Sequence, residues 1–319
     1  MSVSVLTAPA PTPPPGPTRR PRPVGSRWSM LVMASPPVLL VIVFVGVPIV
    51  IGIAYTFGYT GGLNSVATSL SVSVHSAVGW GPTFDAYRSV FADSRFRGDL
   101  GVTLWVTVIT VAVTVVLAWA VALHARLTGG RLGRVLSGVA VIPLFIPIVI
   151  GAYAIRKFYL NTGFLVSVGK QLGVTLPAWS YHTSGIVIGE IWASLPFAVL
   201  LISSGLSAVP DALIDAARDA GASRARAVWS VMLPMTTVPT VIVATFTGVS
   251  VMGSFTIPYL IGPTAPTMLG VTLQQTYAAY QRPQNAQVMA VVLFALAAGI
   301  GALYIWANAR ASRSTAVAA

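Results

Sequence analysis

The feature that most constrains this chain is a run of 26 residues, Met30 to Tyr55, without a single charged side chain. A helix rises about 1.5 Å per residue, so such a run is long enough to cross the ~30 Å hydrocarbon core of a bilayer. Five more apolar runs follow, at 101–125, 135–155, 185–207, 236–259 and 287–308. Only 8% of the 319 residues are charged, against about 25% in a soluble domain. That is too little polar surface to clothe a water-exposed globule of this length. The sequence therefore predicts an all-α integral membrane protein with six transmembrane helices.

The residues before the first run are rich in proline and arginine. Proline lacks an amide donor, so residues 1–29 are expected to be a disordered or extended tail. Arg19-Arg20 ahead of an apolar run is also a signal-peptide pattern, but a signal core is about 7–15 residues long, and this run is 26. The third run contains Pro143 and Pro147, and the fifth contains Gly253 and Pro258. Backbone groups freed at such breaks need partners that lipid cannot offer, so these two helices are expected to face other helices. In the outer loop 56–100, Thr83–Arg97 is expected to form a short surface helix whose aromatics anchor at the headgroup level.

The net charge of +12 is mainly a topology signal. With the N-terminus inside, the cytoplasmic segments hold 12 of the 19 Lys and Arg residues and the outer segments hold 7. The excess of positive charge inside favours this orientation, with both termini cytoplasmic. A nucleic-acid partner would require a basic face interleaved with aromatics on one folded module. The sequence has none, and membrane lipid is the expected surrounding.

Several chemistries are excluded. There are no cysteines, so there are no disulfides, thiolate metal sites or cysteine nucleophiles. His75, His124 and His182 are scattered, no metal-protease spacing exists, and no catalytic cluster can be assembled. The nearest approach to a phosphate loop, Gly163 to Gln171, has one residue too many between its glycines. It also has Gln171 where a hydroxyl is needed. Within the apolar runs read above, Glu190 is the one acid, roughly 7–8 Å from the outer end of the fourth. It reads either as a helix-end hydrogen-bond partner or as part of a substrate path. One shallow acid is thin support for ion coupling.

The most informative stretch is Pro210 to Pro234. Asp211, Asp215 and Asp219 fall at i, i+4, i+8, and Leu213, Ala216, Ala217 and Ala220 form a second, small-residue stripe. Gly221 is suited to the left-handed conformation that ends a helix, and Ser223 to capping the next. This predicts two helices with a tight corner, lying on the cytoplasmic face between the fourth and fifth spans.

The same stretch resembles the EAA loop of the permease subunits of binding-protein-dependent ABC importers. That pattern is E-A-A, three residues, G, nine residues, I-x-L-P. Here it reads Asp215-Ala216-Ala217, three residues, Gly221, nine residues, Val231-Met232-Leu233-Pro234. Asp replaces Glu and Val replaces Ile, and the spacing is kept throughout. The resemblance covers roughly Leu100 to Arg310. It implies a permease core at 100–310, preceded by the tail (1–29) and a first transmembrane helix with its outer loop (30–99), and followed by a cytoplasmic tail (311–319). It also implies a cell inner-membrane subunit that is not itself an enzyme. Its loop would form a coupling helix docking on a separate ATPase, through Asp215, Ala216, Ala217, Gly221, Leu233 and Pro234. The implied partners are a second permease subunit, two ATPase subunits and an extracytoplasmic substrate-binding protein. No cofactor belongs to this chain, since ATP and Mg would be held by the ATPase. A stand-alone secondary transporter is the competing reading.

Two short motifs bear on the substrate. Phe255 to Gly262 and Leu195-Pro196-Phe197 look more like the branch moving polyamines, ferric iron or phosphonates than like the sugar branch. The expected substrate is a small polar solute, polyamine-like first and a sugar second. Glu190, Ser254, Phe255 and Tyr259 are the candidate path residues, because broken helices in transporters mark binding regions. Phe255 and Tyr259, at i and i+4, equally fit simple packing against a neighbour.

Overall fold

The computed structural model describes residues 35–76 and 81–317, and in these residues the regular structure is entirely helical. The expected tail at 1–29 and Trp80 of the outer loop lie outside the described residues. The chain divides into two units, Met1–Val50 and Ile51–Ala319. Of the first, the described part is the charge-free N-terminal portion of helix α1 (Ser35–Thr56). All the packing described below lies within the second.

The second unit is organised along α3 (Ser94–Thr128), a 35-residue helix with no break. It follows α2 (Asp85–Ala92), a short helix inside the stretch expected to hold one. The second span thus begins at Ser94, not 101, and the boundary drawn between 99 and 100 falls inside a helix. The reason is local: the Asp93 carboxylate accepts from Arg95 N at 2.9 Å and caps α3 there. At the other end, Gly129 takes a left-handed φ of +58° and stops it.

One stripe of α3 is buried along its whole length: Phe96, Thr103, Val106, Thr107, Thr110, Thr114, Ala118 and Ala122. Small and hydroxylated side chains allow neighbouring helices to approach closely, which is how membrane helices pack without a hydrophobic driving force. This stripe takes part in three successive core layers. Phe96 packs with Val90, Leu269 and Val288. Val106 packs with Ile186, Val251, Ile257 and Ile261. Ala118 and Ala122 pack with Ile202, Leu206, Met232 and Val243.

The helix packed most extensively on α3 is α7 (Thr183–Ser207), which carries Pro196 in its interior. Between them the chain forms α4 (Arg131–Phe145), then α5 (Ile148–Tyr159) and α6 (Phe164–Gln171). The axis of α4 and that of the segment Ile148–Gln171, which holds α5 and α6, differ by 111°. Pro143 lies in the first turn of a 3-10 stretch (Ile142–Phe145) and Pro147 is extended just before α5, so the two prolines break the third span as expected.

After α7 come α8 (Asp211–Asp219) and α9 (Arg224–Met235), then α10 (Thr237–Met252) at 67° to α9. The chain ends with α11 (Thr256–Ile261), α12 (Leu269–Ala278) and α13 (Pro283–Val317). The fifth span stops at Gly253 as expected. Pro258 does not break anything, because it sits in the first turn of α11, where no intrahelical donor is required. Among the described residues, four helices are long and apolar enough to cross a membrane, and up to six if each bent pair counts as one span.

Candidate functional site

The segment resembling a coupling loop folds as a helical hairpin. Helix α8 ends in a Schellman motif. Ala222 N donates to Ala217 O at 3.0 Å and Gly221 N donates to Arg218 O at 2.9 Å. That motif needs a left-handed residue at its corner, and Gly221 supplies it with a φ of +85°. The Ser223 hydroxyl then accepts from Arg226 N at 3.3 Å and starts α9. Thr236, outside helical geometry, ends α9 two residues after Pro234 and makes the bend into α10. Ile214 and Ala217 turn inward, with Ile214 packed on the core layer of Ile202 and Met232.

The outward face of α8 carries Asp215, Ala216 and Asp219, all exposed, and Leu213, 45% exposed. The acidic stripe is not uniform. Asp211 is bound within the chain, by the guanidinium of Arg126 from the last turn of α3. Asp211 stays exposed, with 74% of its side chain accessible, and of the three only Asp215 and Asp219 make no ion pair among the described residues. Trp229 on α9, 71% exposed, adds a large apolar side chain to the hairpin surface. Sequence reading singles out neither Arg126 nor Trp229.

A second site lies between α5, α7 and α10. A cleft of about 320 Å³ is lined by Ile148, Glu190, Ala193, Ser194, Phe197, Phe246, Thr247, Ser250 and Ser254. Glu190 is 3% exposed, and its Oε1 has no hydrogen-bond partner. Ser254, at the break after α10, lines the same cleft. Phe197 and Phe246, both in the lining, are in ring contact with centroids 5.9 Å apart. The wall from α5 is set by a close approach: a Cβ at Gly151 would overlap the ring of Trp192 on α7. Only a residue without a side chain lets α5 lie there.

Of the candidate path residues, the structure brings Glu190 and Ser254 together. Phe255 and Tyr259 are not in the cleft lining; they stack on each other, with centroids 5.1 Å apart, and Tyr259 is 57% exposed. The missed lining residues carry a readable signal. Glu190, Ser194 and Phe197 fall at i, i+4, i+7 on α7, and Thr247, Ser250 and Ser254 at i, i+3, i+7.

Glu190 is not the one acid within a long apolar helix. Asp99 lies in α3 and is fully buried. Its carboxylate accepts from Thr267 N at 2.8 Å and from the Thr272 hydroxyl, and Arg95 Nε lies 3.7 Å away. The Thr103 hydroxyl accepts from Leu269 N at 2.8 Å. The first turn of α12, with no side-chain cap of its own, is thus held by two side chains of α3. Sequence reading places Asp99 in a loop because it starts the span too late.

Comparison with known proteins gives relatives that carry sugars. The chain is 32% identical over 195 residues to the trehalose transport system permease protein SugA of Mycobacterium tuberculosis, a match covering 60% of this chain and 61% of that protein. It is 26% identical to the sulfoquinovosyl glycerol transport system permease protein SmoG of Agrobacterium fabrum, over 70% of this chain and 75% of that one. The fold superposes on a chain of the bacterial alginate ABC transporter, with a TM-score of 0.69 and 16% identity, covering 90% and 95% of the two chains.

These relatives overturn the expectation of a polyamine, iron or phosphonate branch, and the likeness lies with sugar permeases. The motif that misled is a packing motif. Ile257 and Ile261 in Phe255–Gly262 are fully buried against Ile186 and Val187, so the segment reports how α11 seats and not what passes by. Residues 114–315, more than half of the chain, match the family of binding-protein-dependent transport system inner membrane components, and the chain belongs to that family.

Proposed function

We propose that this chain is the membrane-spanning permease subunit of an ABC importer for a saccharide, driven from the cytoplasm through α8. The observation that carries the reading is the hairpin α8–α9. A sequence spaced like an ATPase-contacting loop folds as a stiff, Schellman-cornered helix with two free acids and small side chains on its outward face. Small residues admit a close partner surface, and the acids offer charge-assisted bonds to Arg or Lys on it. In this reading α8 lies in the cytoplasm, six spans cross the membrane, and both termini are inside, in keeping with the 12-to-7 distribution of positive charge. The working assembly pairs this chain with a second permease subunit, two ATPase subunits holding ATP and Mg, and an extracytoplasmic binding protein.

The cleft is the proposed substrate contact. Saccharides present hydroxyl edges and apolar ring faces. The cleft offers Ser194, Thr247, Ser250 and Ser254 with the Glu190 carboxyl, and the rings of Phe197 and Phe246. Its volume, about 320 Å³, lies at the small end of the ~300–1,000 Å³ usual for small-molecule sites. The relatives' sugar substrates support the same class.

The test is purification of the tagged chain from its native membrane, followed by reconstitution. An ATPase subunit should copurify, and vesicles should accumulate radiolabelled trehalose or a related glycoside only with ATP inside. Accumulation by the chain alone, without nucleotide, would refute the reading.

A further inference from the structure

We infer that Arg126 is a positioning residue for the coupling helix, tying α8 to α3 so that the two move together. The inference rests on reading α8 as the ATPase contact, and it names the link from that contact into the membrane.

Arg126 sits in the last turn of α3 with its side chain 25% exposed. Its Nη2 donates to Val209 O at 3.1 Å and to Asp211 Oδ1. Val209 is buried in the core layer beneath α8, and Asp211 is the first residue of α8. One guanidinium therefore grips the joint on both sides of Pro210. Both bonds come from one terminal nitrogen, Nη2, whose two N–H groups supply one donor to each acceptor.

The position of α3 gives the link its consequence. Of the other routes out of the hairpin region, α4 is bent from the segment Ile148–Gln171 by 111°, α9 from α10 by 67°, and α7, continuous over 25 residues, carries Pro196 in its interior. Helix α3 is continuous over 35 residues, roughly 50 Å. Its far end is keyed to α12. Asp99 holds Thr267 N and Thr272, and Arg95 donates to Gln275 Oε1 and to the Tyr280 hydroxyl. A displacement of α8 is thus delivered by one unbroken helix to the segment that follows the substrate-side break.

The chain has no cysteine, so a single introduced cysteine is the one reporter in it, read on this subunit after the subunits are separated. Tyr277→Cys lies on α12 at an exposed position. In the transporter purified with its partners in nanodiscs, labelling of this cysteine by an impermeant maleimide should change when ATP and vanadate are added. Arg126→Ala should leave the ATPase copurifying and reduce that nucleotide response at least about threefold. Arg126→Lys should keep part of it. Arg126→Ala with Asp211→Ala should be no worse than Arg126→Ala alone, because the second change removes a partner already lost.

A full response in Arg126→Ala, or an additive loss in the double variant, overturns the inference and leaves the proposed function standing. A wild-type complex that binds the ATPase but shows no response at Tyr277→Cys overturns it too. A wild-type chain that recovers no ATPase refutes the coupling reading, and the inference with it. Should Arg126→Ala fail to insert, Asp211→Ala and Arg126→Lys make the same comparison.

Discussion

Gly221 offers a sharp separation of backbone from packing effects. Its φ is +85°, and an added Cβ would meet nothing within 4 Å. Any cost of a side chain there is therefore conformational, not steric contact with the rest of the chain. An ordinary L-residue in the left-handed region costs about 1–2 kcal/mol, a β-branched one more, and asparagine less, because its side chain is compatible with that conformation. A penalty of about 1–2 kcal/mol converts to a roughly 5- to 30-fold loss in the population of the correct corner. If α8 must present its outward face to an ATPase, affinity for that subunit should fall by up to the same factor. The expected order is Gly, then Asn, then Ala, then Val. Asparagine is larger than alanine, so an order set by size would be different. The assay is quantitative recovery of the ATPase with the tagged permease over a range of ATPase concentrations, after membrane levels of each variant are matched. Weaker recovery with Gly221→Asn than with Gly221→Ala would put a partner surface against this corner and refute the argument from backbone strain alone.

Four further outcomes can be checked directly. Asp215→Lys reverses an exposed acid that makes no ion pair among the described residues, so insertion should be unchanged while ATPase recovery drops about tenfold, measured in the same pull-down. Asp99→Ala strands Thr267 N and the Thr272 hydroxyl in a buried site and should cost about 3–5 kcal/mol in mixed-micelle unfolding, with Asp99→Asn costing less than half of that. Glu190→Leu removes a buried, partly unpartnered acceptor and should raise resistance to the same unfolding by about 1–3 kcal/mol while abolishing saccharide uptake. Gly151→Leu drives a side chain into Trp192 and should destabilise by about 1–3 kcal/mol and lower uptake, read by thermal inactivation and transport in parallel.

The parts of the structure that are legible in the sequence are the parts held by short-range forces. The corner at Gly221 is made by hydrogen bonds spanning three to five residues, so its residue types announce it. The breaks at Pro143, Pro147 and Gly253 are likewise local consequences of a missing donor or a missing side chain. What joins distant segments is not legible. Asp99 meets its partners 168 and 173 residues away. The cleft needs α5, α7 and α10 at once, although the periodic hydroxyls of α10 point towards it. Arg126 looks like a topology charge because nothing in its neighbourhood in sequence reveals Val209 and Asp211.

The two buried acids differ in how far the chain itself satisfies them. Of seven acidic residues in the chain, Asp99 and Glu190 are the two that lie below 4% exposure. Burying a carboxyl is costly unless its oxygens are bonded. Asp99 meets that demand within the chain: Oδ1 accepts from Thr267 N and Oδ2 from the Thr272 hydroxyl, with the charge of Arg95 3.7 Å away. Nothing remains for a ligand, and its work is to join α3 to α12. Glu190 leaves Oε1 idle on the wall of a cleft rich in hydroxyls. If Glu190→Leu folds as well or better, as expected above, stability does not account for the carboxyl. On the proposed reading, that acceptor is kept for a saccharide hydroxyl that enters the cleft and donates to it.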